Sequence, residues 1–150
     1  MRLSQYAVPV MAAAGVAIVL GLGPRVAAGD DWACSNRTLR GNYGFEINGY
    51  IFPPTGGPLL LRGVAMTTFD GEGNLTQVDH ATFNGIPRWQ GWRPAAGTYE
   101  INADCTGTAQ IVPNDGTPAL NLHLVVFDHG RQVRTVVDGN ATGSLGVRVR

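Results

Sequence analysis

The sequence contains no lysine, few charged residues and only two cysteines. Charged side chains make up 15% of the 150 residues, and eleven basic residues, all arginine, balance eleven acidic ones. Schiff-base and pyridoxal-phosphate chemistry are excluded, because both need the side-chain amine of a lysine. Nucleic-acid binding depends on cationic contacts to phosphates, so this neutral, charge-poor chain is not expected to bind nucleic acid.

The sequence also lacks any sustained apolar repeat of helical period. It has 21 glycines and 9 prolines, and 44% of its residues are hydrophobic. The glycine and proline content favours turns over long helices. The hydrophobic content argues against a chain that is disordered as a whole.

The first 28 residues have the three parts of a secretory signal peptide. Arg2 supplies a positive charge, residues 8–22 are almost purely apolar, and Val26 to Ala28 are small residues before a cleavage point. A transmembrane helix needs about 20 apolar residues, and this stretch is shorter and bounded by prolines. We therefore predict cleavage after Ala28, no stable membrane anchor afterwards, and a secreted or periplasmic protein made of residues 29–150.

Both cysteines, Cys34 and Cys105, lie in the part expected to be exported. In an oxidising compartment they predict one disulfide bond. The alternative is a free nucleophilic or metal-binding thiol, but neither cysteine has a second one at C-x-x-C spacing.

Residues 29–150 show apolar and polar residues in alternation, which is the period of half-buried strands. Tyr43, Phe45 and Ile47, for example, alternate with polar or small neighbours. The segments between the alternating runs, such as residues 70–74 and 138–140, have the composition of turns. The predicted strands are 43–52, 59–69, 74–83, 97–103, 107–112, 119–127, 132–138 and 144–149, with residues 88–93 as a ninth strand or an extension.

Strands joined by tight turns predict an all-β fold with antiparallel neighbours in meander order. An up-and-down barrel of about eight strands, formed by residues 29–150 as one domain, removes exposed edges by pairing the first strand with the last. A β-sandwich is the alternative architecture. An eight-stranded barrel is either filled by side chains or just wide enough for one small ligand.

Three segments carry a resemblance to known proteins: residues 34–45, 69–76 and 97–108. Together they resemble a group of small exported bacterial proteins, mostly without assigned function. The barrel of that group is similar to the barrel of the allene oxide cyclase and calycin-like proteins. The resemblance covers about residues 34–140. It implies a barrel with a pocket that binds or rearranges an apolar molecule, although no cyclase catalytic motif is found here.

Few residues are available for catalysis or metal binding. Ser144 lacks the first glycine of a G-x-S-x-G motif. His80, His123 and His129 show no paired spacing, so no metal site and no cofactor are predicted. Residues 70–74 imitate the start of a calcium loop, but the later glycine and glutamate of such a loop are missing.

The strand at residues 74–83 offers two candidate acid–base groups, one in each register. In one register Leu75, Asp79 and Phe83 point into the barrel, where burial would raise the pKa of Asp79 and suit it to acid–base catalysis. In the other register His80 points inward and Asp79 is solvated. Both registers are allowed by the sequence.

The segment from Ile86 to Pro94 holds two of the three tryptophans. In extended form, Arg88 lies on the same face as Trp92, and Trp89 shares the opposite face with Arg93. Each face then offers an aromatic ring beside a cation. We predict that these four residues rim the barrel mouth and bind a ligand or glycan. Alternatively, the indoles cover the barrel end or stack with the guanidinium groups.

Three functions fit these observations. The first is an exported barrel that binds a small, largely apolar molecule, which requires a cavity of at least about 300 Å³. The second is a cyclase or isomerase that uses Asp79 or His80. The third is a structural or surface-interaction protein with a filled interior. The first is favoured by fold analogy alone, and the sequence sets no oligomeric state.

Overall fold

The computed structural model describes residues 32–150, and the predicted signal peptide, residues 1–28, lies outside them. Within the described residues, the alternating segments form nine strands preceded by a short 3₁₀ helix, Asn36–Leu39. The strands are β1 (Gly41–Ile51), β2 (Leu59–Phe69), β3 (Asn74–Phe83), β4 (Ile86–Pro87), β5 (Arg93–Ile101), β6 (Thr106–Pro113), β7 (Leu120–Phe127), β8 (Gln132–Val137) and β9 (Ala141–Arg148). No helix in this part of the chain has the length and apolar character needed to cross a membrane.

Eight of the nine described strands close into an antiparallel barrel. They follow one another in the order β2-β1-β9-β8-β7-β6-β5-β3, and β2 also pairs with β3. The ninth, β4, extends the sheet beside the last residues of β3. The predicted all-β barrel of about eight strands is therefore confirmed, and the sandwich is not adopted. The last strand, β9, pairs with β1, so it closes the barrel and leaves no free edge there.

Alternate side chains of each strand point into the barrel, as the sequence period predicts. On β1, Tyr43 is buried and Phe45 half-buried, whereas Glu46 between Phe45 and Ile47 is exposed. The buried core comprises Cys34, Leu39, Tyr43, Phe69, Leu75, Ala95, Tyr99, Ile101, Ile111, Leu122, Leu124, Val126 and Val133.

One end of the barrel, called the base here, is closed by the N-terminal segment and a layer of aromatic rings. Leu39 of the 3₁₀ helix is fully buried. The ring of Phe69 makes edge-to-face contacts with Tyr43 and Tyr99, with ring centroids 5.3 and 4.9 Å apart. The Cys34–Cys105 disulfide joins this segment to the β5–β6 turn.

The opposite end, called the mouth here, is formed by the four loops that connect β1 to β2, β3 to β5, β6 to β7 and β8 to β9. Two of these loops, residues 52–58 and 114–119, contain the proline and glycine turns expected from the sequence. Their residues are mostly exposed. These four connections, one of which contains β4, therefore surround the entrance to the barrel interior.

The largest difference from the predicted strands lies in the segment that leads into β5. This strand begins at Arg93 rather than at residue 97, because Arg93 pairs with Asp79 of β3 in the antiparallel register. Before it, Asn84 and Gly85 have positive φ angles of 53° and 83°, which turn the chain back to form β4. Residues 88–92 are consequently a loop at the mouth rather than a further strand.

Candidate functional site

The interior of the barrel is hollow above the aromatic layer. A cavity of about 450 Å³ reaches from Phe69 to the mouth loops, where Thr117 and Asn140 line it. This volume lies within the roughly 300–1,000 Å³ range of small-molecule sites. Its apolar walls include Phe45, Ile47, Leu61, Ile111, Leu122 and Val137.

The cavity exists because several inward positions carry small side chains. Ala65 on β2, Ala81 on β3 and Ala109 on β6 all line it. Larger residues at these positions would fill the interior, as the tyrosines and phenylalanine do at the base. The inward side chains thus form a packed aromatic layer at the base and leave a pocket above it.

A connected row of polar side chains crosses this apolar lining, and we call it the polar track. Thr67 donates a hydrogen bond from its hydroxyl to Oε1 of Gln77, with 2.8 Å between the oxygens. The Gln77 amide in turn donates to Oδ2 of Asp79 at 3.2 Å. The track ends at Arg93, which donates two further hydrogen bonds to the carboxylate of Asp79.

Asp79 and Arg93 form a buried, two-pronged ion pair. Arg93 donates from Nε to Oδ1 of Asp79 at 3.0 Å and from Nη2 to Oδ2 at 2.9 Å. The two side chains are only 5% and 12% exposed, respectively. Nη1 of Arg93 also reaches Thr117 at 3.2 Å and Asp115 at 3.5 Å. Burial disfavours the charged guanidinium, but the hydrogen bonds and charge of Asp79 outweigh it and raise the pKa of Arg93.

Trp89 covers this ion pair from the mouth loop. Its ring centroid lies 3.9 Å from Cζ of Arg93, which is a close cation–π contact. Its indole nitrogen donates to the backbone carbonyl of Asp79 at 3.4 Å. Arg88 lines the same cavity, and its guanidinium lies 5.9 Å from the ring of Phe83.

The structure places His80 and Trp92 outside the barrel. The register of β3 points Asp79 inward, where it is 4% exposed, and His80 outward. His80 lies 2.7 Å through Nδ1 from the carbonyl oxygen of Gly91, and Trp92 is 59% exposed beside it. Of the predicted ligand-binding residues, Arg88, Trp89 and Arg93 therefore meet at the cavity, whereas Trp92 does not reach it.

The hydrogen bonds of Asp79 limit what its carboxylate can do. Both carboxylate oxygens are engaged, one by Arg93 alone and the other by Arg93 and Gln77. Proton transfer by Asp79 would first require this ion pair to open. The present arrangement suits the binding and positioning of a ligand better than acid–base chemistry.

The loop that imitates a calcium site serves as a turn. Oδ1 of Asp70 accepts backbone N–H bonds from Glu72, Gly73 and Asn74 at 2.7, 3.0 and 3.0 Å. Hydrogen bonds from Asn74 and from these backbone groups lower the pKa of Asp70 to about 2. Among residues 32–150, no group of three or more His, Cys, Asp or Glu side chains could hold a metal ion.

Sequence reasoning did not single out Thr67, Gln77 and Thr117 as members of the site. A signal was present for the first two, because each is a polar residue at an inward position of an otherwise apolar face. Thr117 comes from a loop whose proximity to Arg93 depends on the barrel geometry.

The closed antiparallel barrel of the described residues is consistent with a calycin-like barrel. Comparison with known proteins adds no closer relationship. The chain matches no protein-family profile, no curated protein and no solved structure.

Proposed function

We propose that this protein is exported and binds a small, largely apolar molecule inside its barrel. The observation that carries the proposal is the apolar cavity of about 450 Å³ that opens at the mouth. An apolar molecule gains free energy when it leaves water for such a site. The mouth loops give it a route of entry.

The energetics of packing support the same function. The apolar walls of this open cavity face water when no ligand is bound, and removing apolar surface from water gains about 25 cal/mol per Å². A bound apolar molecule also adds dispersion contacts with these walls. The cavity is therefore expected to be occupied when a suitable molecule is present.

Export to an oxidising compartment is the second half of the proposal. It is supported by the Cys34–Cys105 disulfide, since such bonds persist mainly in secreted and periplasmic proteins. It also agrees with the predicted signal peptide, which lies outside the described residues.

Native mass spectrometry of the exported protein, purified gently from its own host, tests the proposal directly. We expect a reproducible extra mass of a small molecule that denaturation releases. A bare mass that stays unchanged after N-phenyl-1-naphthylamine, a neutral apolar dye, is added would contradict the proposal. It would favour a structural or partner-binding role instead.

A filled-cavity variant gives the matched test. Ala109→Phe places a large ring in the cavity, whereas Ala96→Phe makes the same change on the exposed face of β5. We expect Ala109→Phe to weaken binding of the neutral dye by about tenfold or more, since it removes the space the dye occupies. Ala96→Phe should bind the dye like the wild type. Equal dye binding by both variants would place the dye outside the cavity.

A further inference from the structure

We infer that the cavity is built for neutral molecules and discriminates against carboxylates and other anions. The selecting group is the buried Asp79, which neutralises Arg93, the less exposed of the two arginines that line the cavity within the described residues. This inference rests on the proposed binding function and specifies its ligand class. The preferred ligand is apolar and carries an uncharged hydroxyl or carbonyl group.

The positive charge inside the cavity, that of Arg93, is not free to bind an anion. Arg93 is paired with Asp79 inside and approached by Asp115 from the mouth. The other charged residues that line the cavity, Arg88 and Asp138, are both exposed at the mouth, where water and salt screen their charges. Asp138 contacts Nδ1 of His123, and Arg88 forms no ion pair within the described residues. The sum of the lining charges is therefore zero, and Asp115 adds a further negative charge beside Arg93.

The donors of Arg93 are also occupied. A guanidinium has five N–H groups. Four of those on Arg93 are directed to Asp79, Thr117 and Asp115. Trp89 covers one face of the group, so a ligand carboxylate cannot form the usual two-pronged contact with it.

An anion would instead meet the Asp79 carboxylate in a poorly solvated space. Its repulsion from Asp79 cancels its attraction to Arg93, so the ion pair gives it no net electrostatic gain. The anion would lose its hydration without a partner to replace it. A neutral polar group avoids this cost and can hydrogen-bond to Thr67 or Gln77, which line the cavity beside Asp79.

The test compares two dyes with the same aromatic skeleton, of which only one is charged. N-phenyl-1-naphthylamine is neutral, and 8-anilino-1-naphthalenesulfonate is the same skeleton with a sulfonate. We expect the wild type to bind the neutral dye about tenfold more tightly or better. Both affinities are measured by fluorescence titration, and competition with a long-chain alcohol or the matching fatty acid repeats the comparison.

The variant Asp79→Asn should largely abolish the selection. It keeps nearly the same shape but leaves the positive charge of Arg93 without its buried partner. We expect the ratio of sulfonated-dye affinity to neutral-dye affinity to rise by about tenfold, as a charge-assisted hydrogen bond to the dye becomes available. Asp128→Asn, which removes the same charge from an exposed turn at the base, should leave both affinities unchanged.

The outcomes separate the inference from the proposed function. A wild type that binds both dyes equally, with both sensitive to Ala109→Phe, overturns the charge selection and leaves the binding function standing. A wild type that binds neither dye overturns both. The wild-type comparison holds even if Asp79→Asn fails to fold, which near-ultraviolet circular dichroism would reveal.

Discussion

At the scale of single residues, Tyr43 shows how one hydroxyl connects distant parts of the chain. It donates to the carbonyl oxygen of Gly130 and accepts from Nη2 and Nε of Arg148, at 2.7 and 3.0 Å. Burial, opposed only in part by Arg148, raises the pKa of Tyr43. The hydroxyl therefore stays protonated over the physiological range and keeps its role as donor.

We expect Tyr43→Phe to lower the free energy of unfolding by about 1–3 kcal/mol, because it leaves buried polar partners unsatisfied. Tyr50→Phe is the control, since Tyr50 is 47% exposed near the mouth. Urea denaturation of both variants and the wild type measures their free energies of unfolding. Similar stabilities for the two variants would show that the hydrogen bonds of Tyr43 contribute little.

The sequence predicted that Tyr43 points inward, but it could not predict these partners. Gly130 and Arg148 lie 87 and 105 residues away along the chain. Contacts at such separation depend on how the barrel closes. Alternation along one strand carries no information about that closure.

At the scale of elements, the inward face of β3 is set by its pairing with neighbouring strands and not by its own sequence. Each face of this strand mixes apolar and polar residues, so local alternation left Asp79 and His80 as candidates in the two registers. The pairing of Leu75 with Phe69 sets the inward face, because Phe69 belongs to the aromatic layer of the base. Asp79 then lies directly opposite Arg93.

The mouth loop at residues 88–92 departs from its predicted extended form for a local reason. Gly91 has a φ angle of 74°, which breaks the alternation between Trp89 and Trp92. Trp89 consequently turns towards Arg93 and Trp92 lies outside. The predicted stacking of an indole on a guanidinium is present for Trp89 alone.

The β2–β3 turn should make the stability of the protein depend on pH. The pKa of Asp70 is about 2 in the folded protein, against an ordinary value of 3.8. Because the pKa of Asp70 is lower in the folded than in the unfolded protein, the ionised carboxylate stabilises the folded state. This stabilisation is complete above about pH 4 and is lost as the pH falls towards 2. We expect the stability difference between the wild type and Asp70→Asn to be largest near neutral pH and to shrink over that window. Chemical denaturation at several pH values measures it, and a constant difference would contradict this account of the turn.

At the scale of the whole molecule, the disulfide ties the described N-terminal segment to the base. It joins cysteines 71 residues apart. The double variant Cys34→Ser/Cys105→Ser should lose about 2–4 kcal/mol of stability, mainly because its unfolded chain is less constrained. Dye binding should remain, since the bond lies at the end opposite the mouth. Guanidinium denaturation and dye titration test both points, and a wild type unaffected by reductant would contradict the first.

Closure of the barrel could be predicted from the sequence, whereas its hollow interior could not. The number of alternating segments and the lack of helical period were enough to expect a closed antiparallel barrel. A hollow interior depends on the combined size of inward side chains from several strands, such as Ala65, Ala81 and Ala109, which all line the cavity. The sequence of one strand does not show the combined size of the inward side chains.

Both ends of the described chain lie at the base. The backbone N–H of Cys34 donates to Ala103, and that of Val149 donates to Asn42 at the start of β1. A tag placed after Arg150 would therefore hold the protein on a sensor surface with its entrance turned towards the flowing solution. Ligand exchange could be followed in this orientation without obstruction by the attachment itself.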